Sequence, residues 1–64
     1  MHIEIDREDD GRFIAEVPAL PGVIVYGETE TDARNKVIVL ALRVIADRIE
    51  RGEPTPFDVN ALFG

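Results

Sequence analysis

The sequence predicts an α+β fold in which one long helix packs on one face of a three-stranded antiparallel sheet. Residues 2–8 and 12–17 alternate apolar and polar side chains, as strands with one buried face do. A short apolar segment, 23–26, predicts a third strand. Residues 30–51 then carry apolar side chains at helical spacing. The order β-β-β-α within 64 residues predicts a single domain.

The connection between the first two strands determines their register. A two-residue turn over Asp10 and Gly11 would pair Ile5 with Glu16 and place an acid on the core face. A three-residue loop that begins one residue earlier pairs Ile5 with Ala15, so that the apolar side chains agree. We therefore expect the three-residue loop, with Gly11 left-handed in a bulge.

The same register places acidic side chains together on the outer face of the sheet. Glu4 falls opposite Glu16, and Asp6 falls opposite Ile14. Like charges directly opposite each other are mildly destabilising. The acids form either an ordinary solvated surface or an acidic patch for a basic partner.

The third strand is apolar on both of its faces, which is typical of strands that are covered on both sides. Ile24 and Tyr26 point one way, so they share the outer face with Ile14. We expect these three side chains to form a second apolar surface on the side of the sheet away from the helix.

The ends of the helix carry recognisable signals. The hydroxyl of Thr29 is placed to accept from the N–H of Asp32 as an N-cap, and Asp32 replaces the usual Glu of a capping box. Gly52 ends the helix, with Arg48 and Arg51 in its last turn.

The helix has more apolar surface than one sheet covers. One arc consists of Ala33, Val37, Leu40, Ala41 and Val44. A second arc consists of Ile38, Leu42, Ile45 and Ile49, with Val39 and Ala46 at its edge. A surface helix normally shows a single apolar stripe a little over ~100° wide. The second arc therefore predicts a homo-oligomer contact, most simply a two-fold dimer.

Residues 53–64 are predicted to form an extended arm, because Pro54 and Pro56 prevent a regular helix there. Phe57, Val59 and Ala61 then alternate. The arm is compatible with a short fourth strand, with docking on a neighbouring copy or with a frayed end, and its apolar content favours docking.

Composition excludes several classes of function. With 13 acidic and 7 basic residues, the net charge of −6 argues against direct binding of nucleic acid, which needs a basic surface. It is compatible with a basic protein partner and also with ordinary acidic solubility. There is no cysteine, no apolar run of membrane-spanning length and no secretory signal at the N-terminus, so we expect a cytoplasmic protein.

Candidate catalytic groups are few. Glu4, Asp6 and Glu16 could suggest a metal-dependent nuclease, but that chemistry needs carboxylates that converge on two ions ~3.5–4 Å apart. These three lie on a flat strand pair without a fourth acid. His2 is the only histidine, and there is no serine or cysteine to pair with it. We expect no catalytic residue, no metal site and no cofactor.

The segment from Asp10 to Gly22, followed by Gly27-Glu28-Thr29 and then Ala33, resembles the HicB family of antitoxins. The shared pattern is Ala-Glu-Val-Pro-x-Leu-Pro-Gly, a few strand residues, Gly-acid-Thr and an amphipathic helix, and it extends over roughly residues 2–56. The motif residues are Gly11, Pro18, Leu20, Pro21, Gly22, Gly27 and Thr29, most of which set turns or a cap.

The resemblance implies a partial RNase H-like fold and a non-catalytic role. Such proteins bind and block a small basic RNA-cleaving toxin of the HicA type. Full antitoxins usually carry a C-terminal DNA-binding domain, and these 64 residues leave no room for one, so we expect a short form without DNA binding.

We expect the toxin to contact the outer face of the sheet. The expected contact residues are Glu4, Asp6, Ile14, Glu16, Ile24 and Tyr26. The alternative is an orphan homo-oligomeric regulatory domain of the same fold without a toxin partner. A neighbouring short, basic reading frame would favour the antitoxin.

Overall fold

The computed structural model describes residues 1–63 and shows three strands followed by a long helix. The elements are β1 (Glu4–Arg7), β2 (Phe13–Glu16), β3 (Ile24–Gly27), α1 (Glu30–Arg51) and a short α2 (Asn60–Phe63). The strands form one antiparallel sheet in the order β1-β2-β3, and α1 packs against all three of them. The predicted α+β class is confirmed.

The β1–β2 connection is the predicted three-residue loop. The N–H of Glu8 donates to the carbonyl of Arg12 (2.7 Å), and the N–H of Gly11 donates back to the carbonyl of Glu8 (3.0 Å). Gly11 has a φ of 89°, in the left-handed region. Ile5 consequently pairs with Ala15, and both side chains pack in the core with the helix.

The proline-containing loop between β2 and β3 is anchored by Leu20, whose side chain is fully buried. Backbone bonds close the loop around it: the N–H of Val17 donates to Val23 (3.1 Å), that of Leu20 to Val17 (2.9 Å) and that of Val23 to Leu20 (3.0 Å). Leu20 is thus a core residue that happens to lie on a loop.

Replacing Leu20 with alanine is expected to lower the free energy of unfolding by about 2–5 kcal/mol, because it leaves a cavity in a close-packed core. Leu62→Ala is a matched control, since it removes the same atoms from a side chain that is 68% exposed. Urea denaturation followed by circular dichroism measures both. Equal losses in the two variants would contradict the anchoring role of Leu20.

The start of α1 is capped as predicted. The Oγ1 of Thr29 accepts from the N–H of Asp32 (2.9 Å). The Asp32 carboxylate in turn accepts from the N–H of Glu28 (3.0 Å) and contacts the Lys36 ammonium (3.1 Å). The Glu28 N–H and then Lys36 lower the pKa of Asp32, so its charged form stabilises the fold at neutral pH and that contribution is lost as the pH falls through the lowered pKa.

The contribution of the N-cap to stability is tested by comparing alanine substitutions of Thr29 and Thr31. Thr29→Ala is expected to cost about 1 kcal/mol of unfolding free energy, because the N–H of Asp32 loses its partner. Thr31→Ala, in the exposed first turn, should be neutral or slightly stabilising, since alanine has the higher helix propensity. Denaturant midpoints test this, and a similar loss at both positions would contradict the capping assignment.

Gly27 lets the start of α1 lie directly on the end of β3. A Cβ at this position would lie 2.6 Å from the Cα of Ala33 and closer still to its backbone nitrogen. Both residues are buried. The glycine and alanine of the Gly-acid-Thr…Ala pattern therefore allow the backbones of β3 and α1 to approach closely.

The C-terminus of α1 is a Schellman motif. Gly52 has a φ of 71°, its N–H donates to Ile49 (3.2 Å), and the N–H of Glu53 donates to Arg48 (2.8 Å). Arg48 and Arg51 lie in the last turn, as predicted.

The buried stripe of α1 consists of Ala33, Val37, Ala41 and Ile45. Ile45 is only 5% exposed, so its predicted place on the oligomer face is wrong. The reason is geometric: residues four apart advance by ~40° around a helix with 3.6 residues per turn. A stripe with this spacing drifts around the helix, and by Ile45 it has reached the second arc. Leu42 and Ile49 stay exposed, while Ile38 is half-buried.

The molecule is elongated, because α1 is much longer than the sheet. Its 22 residues span ~33 Å, whereas a four-residue strand spans ~13 Å. The radius of gyration is 13.1 Å, against ~11 Å for a compact domain of this length. The accessible surface is 4667 Å², about 600 Å² above the ~4,100 Å² expected for this mass. One chain thus leaves unusual surface uncovered.

The C-terminal arm differs from its prediction. No fourth strand forms within residues 1–63, and Asn60–Phe63 is a single helical turn. Asp58 starts this turn, because its side chain accepts from the N–H of Asn60 (3.0 Å) and its carbonyl from that of Ala61 (3.1 Å). Val59 packs on the core, as the apolar content suggested, whereas Leu62 and Phe63 are exposed. Gly64 lies outside the described residues.

Within the described chain, neither helix combines the length and apolar character needed to cross a membrane.

Candidate protein-binding surfaces

The outer face of the sheet brings together all six residues predicted to contact a toxin. The register arranges them in two rows across the strands, Glu4–Glu16–Ile24 and Asp6–Ile14–Tyr26. Directly opposite residues in such a pair have Cβ atoms ~4.5–5.5 Å apart. The six side chains therefore form one continuous patch, which we call the outer patch.

The outer patch is divided by charge. The acids Glu4 and Asp6 lie on β1, and Glu16 adds a third acid on β2. The apolar side, on β2 and β3, consists of the half-buried Ile14 with Ile24 and Tyr26, which are 45% and 44% exposed. Since α1 covers only the opposite face, the described chain supplies no layer over this apolar side.

Arg12 also belongs to this surface, although it is not among the six predicted contact residues. Its guanidinium carbon lies 4.5 Å from the ring centroid of Tyr26, within the range of a cation–π contact. Tyr26 also donates its hydroxyl to Glu8 at 3.4 Å, a long hydrogen bond. Strand alternation from Ile14 back to Arg12 already placed Arg12 on the outer face, and the loop geometry then turns it over the tyrosine ring.

The position of Arg12 is fixed by Asp10. The carboxylate of Asp10 accepts from the backbone N–H of Arg12 (3.0 Å) and from its Nε (2.7 Å). These two bonds lower the pKa of Asp10, and the same carboxylate raises the pKa of Arg12. The hairpin loop therefore holds a cation at one end of an otherwise acidic surface.

The Asp10–Arg12 pair predicts a measurable titration. The carboxyl of Asp10 should titrate below its ordinary value of 3.8, and Arg12→Gln should raise it only part of the way, because the backbone N–H of residue 12 remains. Any stability that this pair contributes is present above the unfolded-state pKa and is lost as the pH falls through the folded one.

NMR detection of the carboxyl carbon during a pH titration measures this change. Arg7→Gln is the control, because it removes the same charge from β1 and makes no contact with Asp10. An Asp10 midpoint that does not respond to Arg12→Gln would contradict the side-chain contact.

The acids of the outer patch do not converge. Within residues 1–63, no group of three or more acidic, histidine or cysteine side chains lies close enough to hold a metal ion. His2, at the start of the chain, lies 3.6 Å from Glu4 and is exposed. Glu4 and Glu16 thus present separate carboxylates to a partner.

A second uncovered surface runs along α1. Leu42 is 61% exposed, Ile49 is 50% exposed and Val39 is 48% exposed. Between Ile3 at the start of the chain and Ile38 on the helix lies a groove of about 250 Å³, which Leu42 also lines. This surface is apolar, whereas the outer patch combines apolar and acidic side chains.

Comparison with known proteins identifies no relative: no family model, no curated protein and no solved structure matches this chain.

Proposed function

We propose that this chain is an antitoxin-type binding protein that neutralises a small basic RNA-cleaving toxin by direct contact. The observation that carries the proposal is the outer patch, where three carboxylates adjoin uncovered apolar side chains on one face of the sheet. The motif resemblance to HicB-type antitoxins supports the same function.

The charge of the patch suits such a toxin. An enzyme that cleaves RNA holds phosphates with lysine and arginine side chains. Glu4, Asp6 and Glu16 offer carboxylates to those cations and would compete with RNA for them. The net charge of −6 would also speed the encounter, in a way that weakens as salt is added.

The apolar side of the patch would determine how long the complex lasts. Tyr26 is a residue type enriched among binding hot spots, and the Arg12 guanidinium lies over one face of its ring. Burial of Ile24 and Tyr26 against a toxin would slow dissociation, which is where most affinity differences between related complexes arise.

The experiment uses the product of a short, basic reading frame beside the gene for this chain, purified as an inactive variant. Isothermal titration calorimetry should show binding to the wild-type chain. Ile24→Lys should weaken it at least tenfold, because it places a cation and a desolvation penalty on the apolar side of the contact. Growth rescue on co-expression with the active toxin should fall in parallel.

Leu62→Lys is the matched control, since it makes the same change on an exposed apolar residue of α2. It should change the affinity by less than twofold. Absence of binding to the neighbouring basic protein, or equal effects of the two lysine variants, would contradict the proposal. Oligomerisation without toxin binding would favour an orphan regulatory domain.

A further inference from the structure

An exposed apolar stripe runs along α1 on the side away from the sheet. We call Val39, Leu42, Ala46 and Ile49 the helix stripe; all four are exposed. Three of them are large apolar residues that are about half exposed or more. Single exposed apolar residues are normal, but a continuous row of them marks an interaction site.

The spacing of residues in the helix stripe is the same in both directions along the helix. Its members are three, four and three residues apart, so the pattern is symmetric about Val44. If two copies of α1 pack antiparallel about a two-fold axis that crosses the helices at the level of Val44, Val39 lies opposite the partner's Ile49. Leu42 then lies opposite the partner's Ala46, so that a large side chain meets a small one, as close packing between helices requires.

One pair of charges beside the stripe suits the antiparallel orientation. Lys36 lies before Val44 in the chain and Glu50 lies after it, and both are exposed. About that axis, Glu50 of the partner falls opposite position 38, ~3 Å along the helix from Lys36. The ammonium of Lys36 has three donors, so its contact with Asp32 leaves capacity for a second carboxylate.

The excess surface of the whole chain approaches the area that one partner buries in a standard dimer. The chain exposes about 600 Å² more than a compact protein of its mass, and a standard interface buries ~800 Å² per partner. These 64 residues contain no cysteine, so no disulfide supplements their small core, and burial of the helix stripe between two copies would add to their stability.

We propose that two copies of this chain form a two-fold dimer through antiparallel pairing of their helix stripes. The outer patch lies on the opposite side of each sheet and stays open, so the dimer would present two such patches facing away from each other. This inference does not depend on the proposed toxin and is tested without one.

The first test is the mass in solution by light scattering at micromolar to millimolar chain concentrations. The wild type should have twice the 7.1 kDa mass of one chain. Leu42→Glu should be monomeric, while circular dichroism shows that its helix is retained. Ile24→Glu is the control, because it adds the same acid to an exposed apolar residue of the outer patch, and it should stay dimeric. A monomeric wild type, or loss of the dimer only in Ile24→Glu, would overturn the proposal.

The second test addresses orientation by exchanging charges. Lys36→Glu and Glu50→Lys should each raise the dimer dissociation constant about threefold or more, since each breaks two symmetric ion pairs. The double variant should return to within about twofold of the wild type. These positions lie ~21 Å apart on one helix, so only contact between copies explains such a recovery. A double variant as weak as the singles would overturn the antiparallel arrangement.

Discussion

The contact between α1 and the sheet is the constraint on which the rest of the structure depends. It is made by small and medium side chains at four-residue intervals, beginning where Ala33 lies against Gly27. Because this stripe is narrow, the sheet buries only one side of the helix. The sheet is also much shorter than the helix, so the second half of α1 extends past it with apolar residues still exposed. The excess surface and the elongated shape both follow from this mismatch in length.

The two uncovered surfaces differ in chemistry and lie on opposite sides of the molecule. The helix stripe is apolar and self-complementary, which suits a lasting contact between identical copies. The outer patch is acidic on one side and apolar on the other, which suits a basic partner of a different kind. Since the sheet separates them, occupation of one surface leaves the other accessible. If both proposals hold, one small domain would assemble and bind a partner at the same time.

Local chemistry made much of this fold predictable. The register followed from requiring that Ile5 and Ala15 share a face, and the same argument placed all six outer-patch residues together. The N-cap at Thr29 and the end at Gly52 followed from residue types with specific backbone preferences. These features depend on contacts between near neighbours in the chain, which a sequence displays directly.

The incorrect predictions concern features that depend on more than the nearest residues in the chain. Ile45 was assigned to the wrong side of α1, because a small rotation per turn adds up along the helix. The alternation of Phe57, Val59 and Ala61 suggested a strand, but this segment pairs with neither edge of the sheet, and Asp58 provides a local cap instead. The place of Arg12 over Tyr26 depends on how a loop turns, which alternation alone does not give.

The outer patch also contains an intrinsic optical probe. Tyr26 is the only tyrosine of the chain, and there is no tryptophan. Tyrosine emission from the free protein therefore originates at a single ring on this surface, which lies beneath a guanidinium group and is 44% exposed. Docking of a partner there would change the surroundings of that ring and alter its emission without any attached dye.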